Sequence, residues 1–255
     1  MAQYEGVRRV GVGVQTAEID AGLRAHMNRV YGLMAVAMVI TGVVAYVVGS
    51  DFAAVVRGQP TMLLSPEILQ TMYSSPVRWI IMFAPLAVVF GLSAAIYRLS
   101  TGTAQAIFWV FAGLMGLSIS WIFAVFTGAS IAQTFFATAA AFGGLSLYGY
   151  TTKRDLSGMG RFLFMGLIGL IVASLINIFV ESSALQWAVS VVGILVFAGL
   201  TAYDTQNIKN TYLEIRFQPG GEVMAERMAI QGALQLYLDF LNLFMFLLQF
   251  MGNRE

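Results

Sequence analysis

Seven apolar stretches separated by short polar segments organise this chain, at 30–48, 79–97, 104–126, 131–150, 162–180, 185–203 and 228–251. A helix needs about 20 apolar residues to cross a bilayer, so the pattern predicts an all-α membrane protein with seven transmembrane helices. Aromatic residues stand at many span ends: Tyr31, Trp79, Tyr97, Tyr148, Tyr150, Trp187 and Tyr203. Such rings favour the headgroup layer. The first 27 residues carry Glu5, Arg8, Arg9, Glu18, Asp20 and Arg24, too polar for the apolar core of a signal peptide. They are predicted as a tail in which Thr16, Glu18 and Asp20 start a short surface helix. Residues 28–255 are predicted as a single seven-helix domain. The longest polar connections, 49–78 and 204–227, are too short to hold a core of their own.

Charge sets the orientation. With the N-terminus in the cytoplasm, eleven of the fourteen Lys and Arg residues fall on the cytoplasmic side. The positive-inside rule then puts the N-terminus inside and the C-terminus outside. Composition narrows the function classes. The chain is 58% hydrophobic and 11% charged, against about 25% charged in soluble domains, so its principal solvent is the lipid bilayer. A net charge of +1 gives no electrostatic case for nucleic acid. Zero cysteines exclude disulfides and thiolate metal sites. One histidine, His26, expected at the surface, leaves little equipment for a His-based metal centre or a catalytic triad. No enzyme activity and no cofactor are expected.

The polar residues inside the apolar spans point to the chemistry. Of 27 charged side chains, only Asp239 lies within a predicted span. Asp204 follows the sixth span in "GLTAYDTQNIK", and Arg98 follows the second in "AAIYRLS". On a seven-span topology these three charges share one side of the membrane. Along span seven, Gln231, Gln235, Asp239, Asn242 and Gln249 fall within an arc of about 80° at helical spacing. A polar line on a rod in lipid turns toward other helices or a water-filled cavity, so helix seven is expected to be central, with these residues as pore-lining candidates. Asn177, Ser118 and Ser120 are expected to bond between helices, and the small-residue tract "ATAAAFGG" (137–144) to allow close helix packing.

If Asp204 and Asp239 meet, both cannot ionise cheaply in a site of low dielectric, and the pair tends to share a proton. Protonated, it latches helix six to helix seven. Deprotonated, it repels and offers hard oxygens to a divalent cation such as calcium, with Asn242 as a further ligand. That makes Asp204 and Asp239 a weak, transient calcium site and, with Arg98 competing for the carboxylates, a pH-dependent gate.

The segments "GLTAYDTQNIK" (199–209), "LYLDFLNLF" (236–244) and "FFATAAAFGGLSLYGYTTKRDL" (135–156) resemble the Bax inhibitor-one family, also called the transmembrane BAX inhibitor motif family, in its bacterial members. The resemblance implies a multi-pass protein of the bacterial inner membrane with helix seven at its centre and a pH-sensitive calcium leak. It matches the family's paired aspartates to Asp204 and Asp239, and a helix-two arginine that engages them to Arg98. The chain departs from that pattern in three places. Pro85 to Val89 hold no acidic residue, Gln249 stands where an arginine is expected, and "NTYLEIRFQPGGEVMAER" lengthens the segment between the aspartates. A non-conducting modulator of a membrane-anchored protease, binding through the tail and the 204–227 segment, is the alternative reading.

Overall fold

The apolar stripe Leu23, Met27, Val30, Met34 and Ala37, at alternating spacings of four and three, carries the first helix well upstream of the lipid-spanning stretch, because that stripe is buried against other helices. The computed structural model describes residues 2–74 and 76–254, with side chains from Asp20 onward. Its helices are α1 (Ala2–Val56), α2 (Pro66–Ser74), α3 (Val77–Ala95), α4 (Thr101–Ile119), α5 (Ile122–Val125), α6 (Gly128–Thr151), α7 (Ser157–Val180), α8 (Ser183–Ile215) and α9 (Gly221–Met251). The described residues form no strand beyond one isolated bridge between Phe126 and Arg254. Seven helices, with α4 and α5 counted as one broken helix, are long and apolar enough to cross a membrane.

Helix α9 is the centre of the bundle. It packs against α1, α4, α6 and α8, and it buries Leu234, Leu236, Tyr237, Phe240, Leu241, Leu243, Phe244 and Leu248. A helix apolar on most faces must be surrounded. Tyr237, fully buried, places its hydroxyl 2.7 Å from Thr41 Oγ1, which donates to the carbonyl of Ala112 at 2.8 Å, so α9, α1 and α4 are joined at one point. Helices α3 and α7 lie outside, α3 on α4 and α7 on α8, and turn Phe83, Phe90, Phe164 and Ile171 outward.

Several expectations change. The 204–227 segment is no loop. Helix α8 continues to Ile215, and only residues 216–220, ending in the breaker Pro219-Gly220, interrupt the chain before α9 starts at Gly221. Gly220 supplies a left-handed backbone at φ 76°. The segment stays helical because Ile208, Tyr212, Leu213 and Met228 pack onto the main core. The 49–78 connection is likewise folded down. Buried Asp51, at the end of α1, accepts the backbone N–H groups of Met62, Leu63 and Leu64 at 2.7, 2.9 and 2.7 Å. Tyr73 on α2 stacks on Phe52 and bonds the hydroxyl of Ser120. Ser120 therefore bonds between helices as expected, but Asn177 instead caps the end of its own helix by accepting from Ser182 N at 3.0 Å.

The closest helix approach involving α6 also falls outside the small-residue tract. A Cβ on Gly149 would lie 2.2 Å from the carbonyl oxygen of Ala202 on α8, whereas Gly143 and Gly144 have nothing within 4 Å. Gly149→Ala must therefore push α6 from α8 and is expected to cost about 1–3 kcal/mol, while Gly144→Ala is close to neutral. Thermal unfolding of both variants in the same detergent checks the contrast.

Candidate functional site

Eleven residues before its end, α8 carries Asp204 inside the bundle, 4% exposed, facing α9. Asp239 on α9 is also 4% exposed. The two carboxyl groups are in hydrogen-bonding contact, and Gln235, one turn before Asp239, reaches Asp204 as well. Two carboxyls can make such a bond only if one donates an O–H, so the contact requires a shared proton. Among the described residues no basic side chain acts on either carboxyl, and Asp239 Oδ2 is buried without a donor. The pair is an acid latch without a counter-ion.

The residues around Asp204 explain the rest of its segment. Thr205 donates to the carbonyl of Thr201 at 2.7 Å. Its oxygen lies 2.9 Å from Ser146 Oγ, which lies 2.7 Å from Tyr31 Oη. Because the Thr205 proton is committed, the chain runs one way: Tyr31 donates to Ser146, and Ser146 to Thr205. Buried Gln206 holds the turn between α6 and α7 on both sides. Its oxygen accepts from Leu156 N at 2.9 Å and its amide donates to Arg154 O at 2.8 Å. Lys209 donates to Tyr150 O at 2.8 Å near the end of α6, where a cation meets unpaired helix carbonyls. "YDTQNIK" is thus the hub that fixes α6, the α6–α7 turn and α9 to α8. Sequence reasoning missed Thr205, Gln206 and Lys209; the density of polar residues just after an apolar span was the available signal.

Above the pair lies a small cavity of about 170 Å³ lined by Gln231, Gln235, Asn207, Thr211 and His26 among others. Two of the pore-lining candidates, Gln231 and Gln235, are therefore gathered beside the pair. Asn242 does not line this cavity, and its amide donates to Leu238 O of its own helix at 2.8 Å. Gln249 lies near the far end of α9. His26, expected at the surface, is 7% exposed, stacks on Tyr212 with ring centroids 4.5 Å apart, and has a buried Nε2 without a partner. The reason is the helical extension of α1 and α8, which bury one another.

Arg98 does not reach the aspartates. It is exposed in the turn after α3, where Arg227 donates to the neighbouring carbonyl of Tyr97 at 2.6 Å. Arg227 precedes Asp239 by twelve residues, about 18 Å along α9, farther than one side chain can span. The same face is closed by Arg29, 3.0 Å from Glu226, which also accepts from Thr101 at 3.1 Å. Among the described residues no group of three or more acidic, His or Cys side chains gathers as a metal site. Any ion bound at the pair would meet two carboxylates and amide oxygens alone.

Residues 23–255 match the family described as inhibitor of apoptosis-promoting Bax1. The chain belongs to the Bax inhibitor-1 family. It is 45% identical over 236 residues to the inner membrane protein YbhL of Escherichia coli K12, covering 92% of this chain and 94% of that one. A protein of Rickettsia prowazekii is 45% identical over 236 residues, with 92% of each chain covered. A membrane protein of Streptococcus pyogenes serotype M3 is 33% identical over 240 residues, covering 92% of this chain and 96% of that one. With seven membrane-spanning helices and these relatives, this Bax inhibitor-1 family member is a multi-pass inner-membrane protein.

Gln206→Leu removes both bonds of the α6–α7 staple and leaves a buried N–H and a carbonyl unpaired. A loss of about 1–3 kcal/mol is expected, read as faster amide hydrogen exchange at 152–156, with α9 unaffected.

Proposed function

We propose that this protein is a leak pathway for cations, calcium foremost, gated by the proton shared between Asp204 and Asp239. The observation that carries the reading is the contact of two buried carboxyls that have no basic partner among the described residues, next to Gln235, which also lines a polar cavity. With the proton in place, α8 and α9 are bonded. Beyond the pair α9 buries its own Leu243, Phe244 and Leu248 against the surrounding helices, an apolar plug that a hydrated ion does not cross. Loss of the proton turns the bond into a repulsion between two carboxylates, which pushes α8 from α9 and leaves oxygens suited to a hard divalent cation.

On the orientation that the basic residues imply, the cavity faces the cytoplasm, and Gln231 and Gln235 line the approach to the pair. Calcium is cargo in this reading, held weakly because only two carboxylates face it. The reading assigns the chain no catalytic step and no resident cofactor. Arg98, exposed in the turn after α3, takes part only if the helices rearrange.

Because the latch exists only with its proton, flux is expected to rise as pH rises through the range in which that proton leaves. The full chain in liposomes with a trapped calcium indicator, measured between about pH 5 and 8, tests this. Asp239→Asn keeps a hydrogen-bond donor at the site but removes the titration, so its flux is expected to stay low and nearly independent of pH. Absence of flux at every pH from folded protein overturns the reading, as does an unchanged pH profile in both Asp239→Asn and Asp204→Asn.

A further inference from the structure

A groove runs the length of the bundle between α1 and α6, with Phe240, Leu241 and Phe244 of α9 in its floor. It comprises three neighbouring cavities of about 600, 550 and 370 Å³. Tyr31 lines the first and second, and Met38, Gly42 and Phe135 line the second and third, so they form one furrow. The α1 wall is Arg24, Asn28, Tyr31, Ala35, Met38 and Gly42, at spacings of four and three, a single helix face. On the α6 wall the small-residue tract contributes Phe142 and Gly143 to the furrow, while Thr138 and Ala139 pack inward. Gly143 lines it, and a Cβ there would meet nothing within 4 Å.

The furrow changes character along its length. At one end stand Arg24, Asn28, Tyr31, Ser146 and Tyr150; beyond Tyr31 its walls are almost wholly apolar. Among the described residues no carboxylate lines any of the three cavities, and Arg24 forms no ion pair or hydrogen bond. From Tyr31 to Gly42 is eleven residues, about 16 Å of helix, close to one leaflet of a hydrocarbon core of about 30 Å. The polar end lies on the face that carries the basic residues.

We propose that this furrow is a binding site for an anionic phospholipid, its phosphate at Arg24 and Asn28 and one acyl chain laid along Met38 and Gly42 toward Phe135. Charge, polarity gradient and length each fit that occupant. A second transmembrane helix fits less well, since Tyr31 and Ser146, 2.7 Å apart, join the α1 and α6 walls at the polar end, so an occupant passes over that bond as a slender chain. The inference stands apart from the proposed leak, because binding is read without flux.

Native mass spectrometry of the full chain, titrated with phosphatidylglycerol or phosphatidylcholine of the same acyl chains, tests the site. Phosphatidylglycerol adducts are expected to survive activation that strips phosphatidylcholine. Arg24→Gln is expected to lower that retention about ten-fold, the size of one charge-assisted hydrogen bond. Gly143→Phe, which fills open space, is expected to remove the adduct with an unchanged Tm. If Gly143→Phe fails to fold, the ratio of the two lipids in Arg24→Gln decides alone. Equal retention of both lipids by the wild type, or no change in Arg24→Gln, overturns the proposal in favour of ordinary surrounding lipid. Loss of a wild-type dimer in Gly143→Phe with lipid retention unchanged overturns it in favour of a second copy of the chain.

Discussion

Two acids buried side by side, with no base beside them among the described residues, are the constraint on which the rest of the bundle depends. Placing even one ionised carboxylate in such surroundings is expensive, and here both lie 4% exposed on facing helices. The pair holds together only through a proton, and a hydrogen bond between carboxyls tolerates little error in position. The bundle supplies that accuracy. α9 is enclosed by α1, α4, α6 and α8, and Tyr237, two residues before Asp239, is fixed through Thr41 to α1 and α4. On the other side, the residues after Asp204 fasten α8 to α6 and to the α6–α7 turn. Each helix bearing an acid is therefore anchored within a turn or two of it.

The distribution of tight contacts follows from the same need. Close backbone approach occurs at Gly149 beneath Ala202 on α8, at Gly116, where a Cβ would lie 2.6 Å from Thr41 O on α1, and at Gly49 near the end of α1, where it would lie 2.4 Å from Ser120 O. The first two sites lie within a few residues of the hydrogen bonds that locate the pair. By contrast α3 and α7, which carry neither acid, each rest on one neighbouring span and spread apolar side chains outward. In a bilayer apolar surface gains nothing by leaving lipid, so packing accuracy is concentrated where polar groups require it.

Much of this was legible in the sequence. The seven spans were visible because hydrocarbon thickness imposes a length on apolar runs, and Asp239 stood out because an acid in such a run is rare. The central place of α9 followed from its polar line. What stayed hidden depends on where helices end, since the lipid ruler measures only the part of a helix that lies in lipid. The extensions of α1 and α8 bury His26 against Tyr212 and turn a supposed loop into helix. Asn242 and Asn177 bond within their own helix or its end, a choice that spacing does not reveal. Arg98 was placed near the pair by its side of the membrane, which says nothing of depth; the carbonyl next to it is held by Arg227, well above Asp239 along α9.

The one-way chain of hydroxyls gives the groove and the acid pair a physical connection. Tyr31, in the groove wall, donates to Ser146, which donates to Thr205, and Thr205 directly follows Asp204. Neighbouring residues on a helix point about 100° apart, so Asp204 faces α9 while Thr205 faces α6. A rotation of α8 that separates the carboxyls must therefore also strain the Thr205–Ser146 bond, and a group in the groove that competes for Tyr31 loosens the same bond from the far end. Since Thr205 has committed its only proton to Thr201, it cannot compensate by donating elsewhere. Any coupling between groove and pair runs through α8, and its sign is set by whether the occupant holds Tyr31 against Ser146 or draws it away.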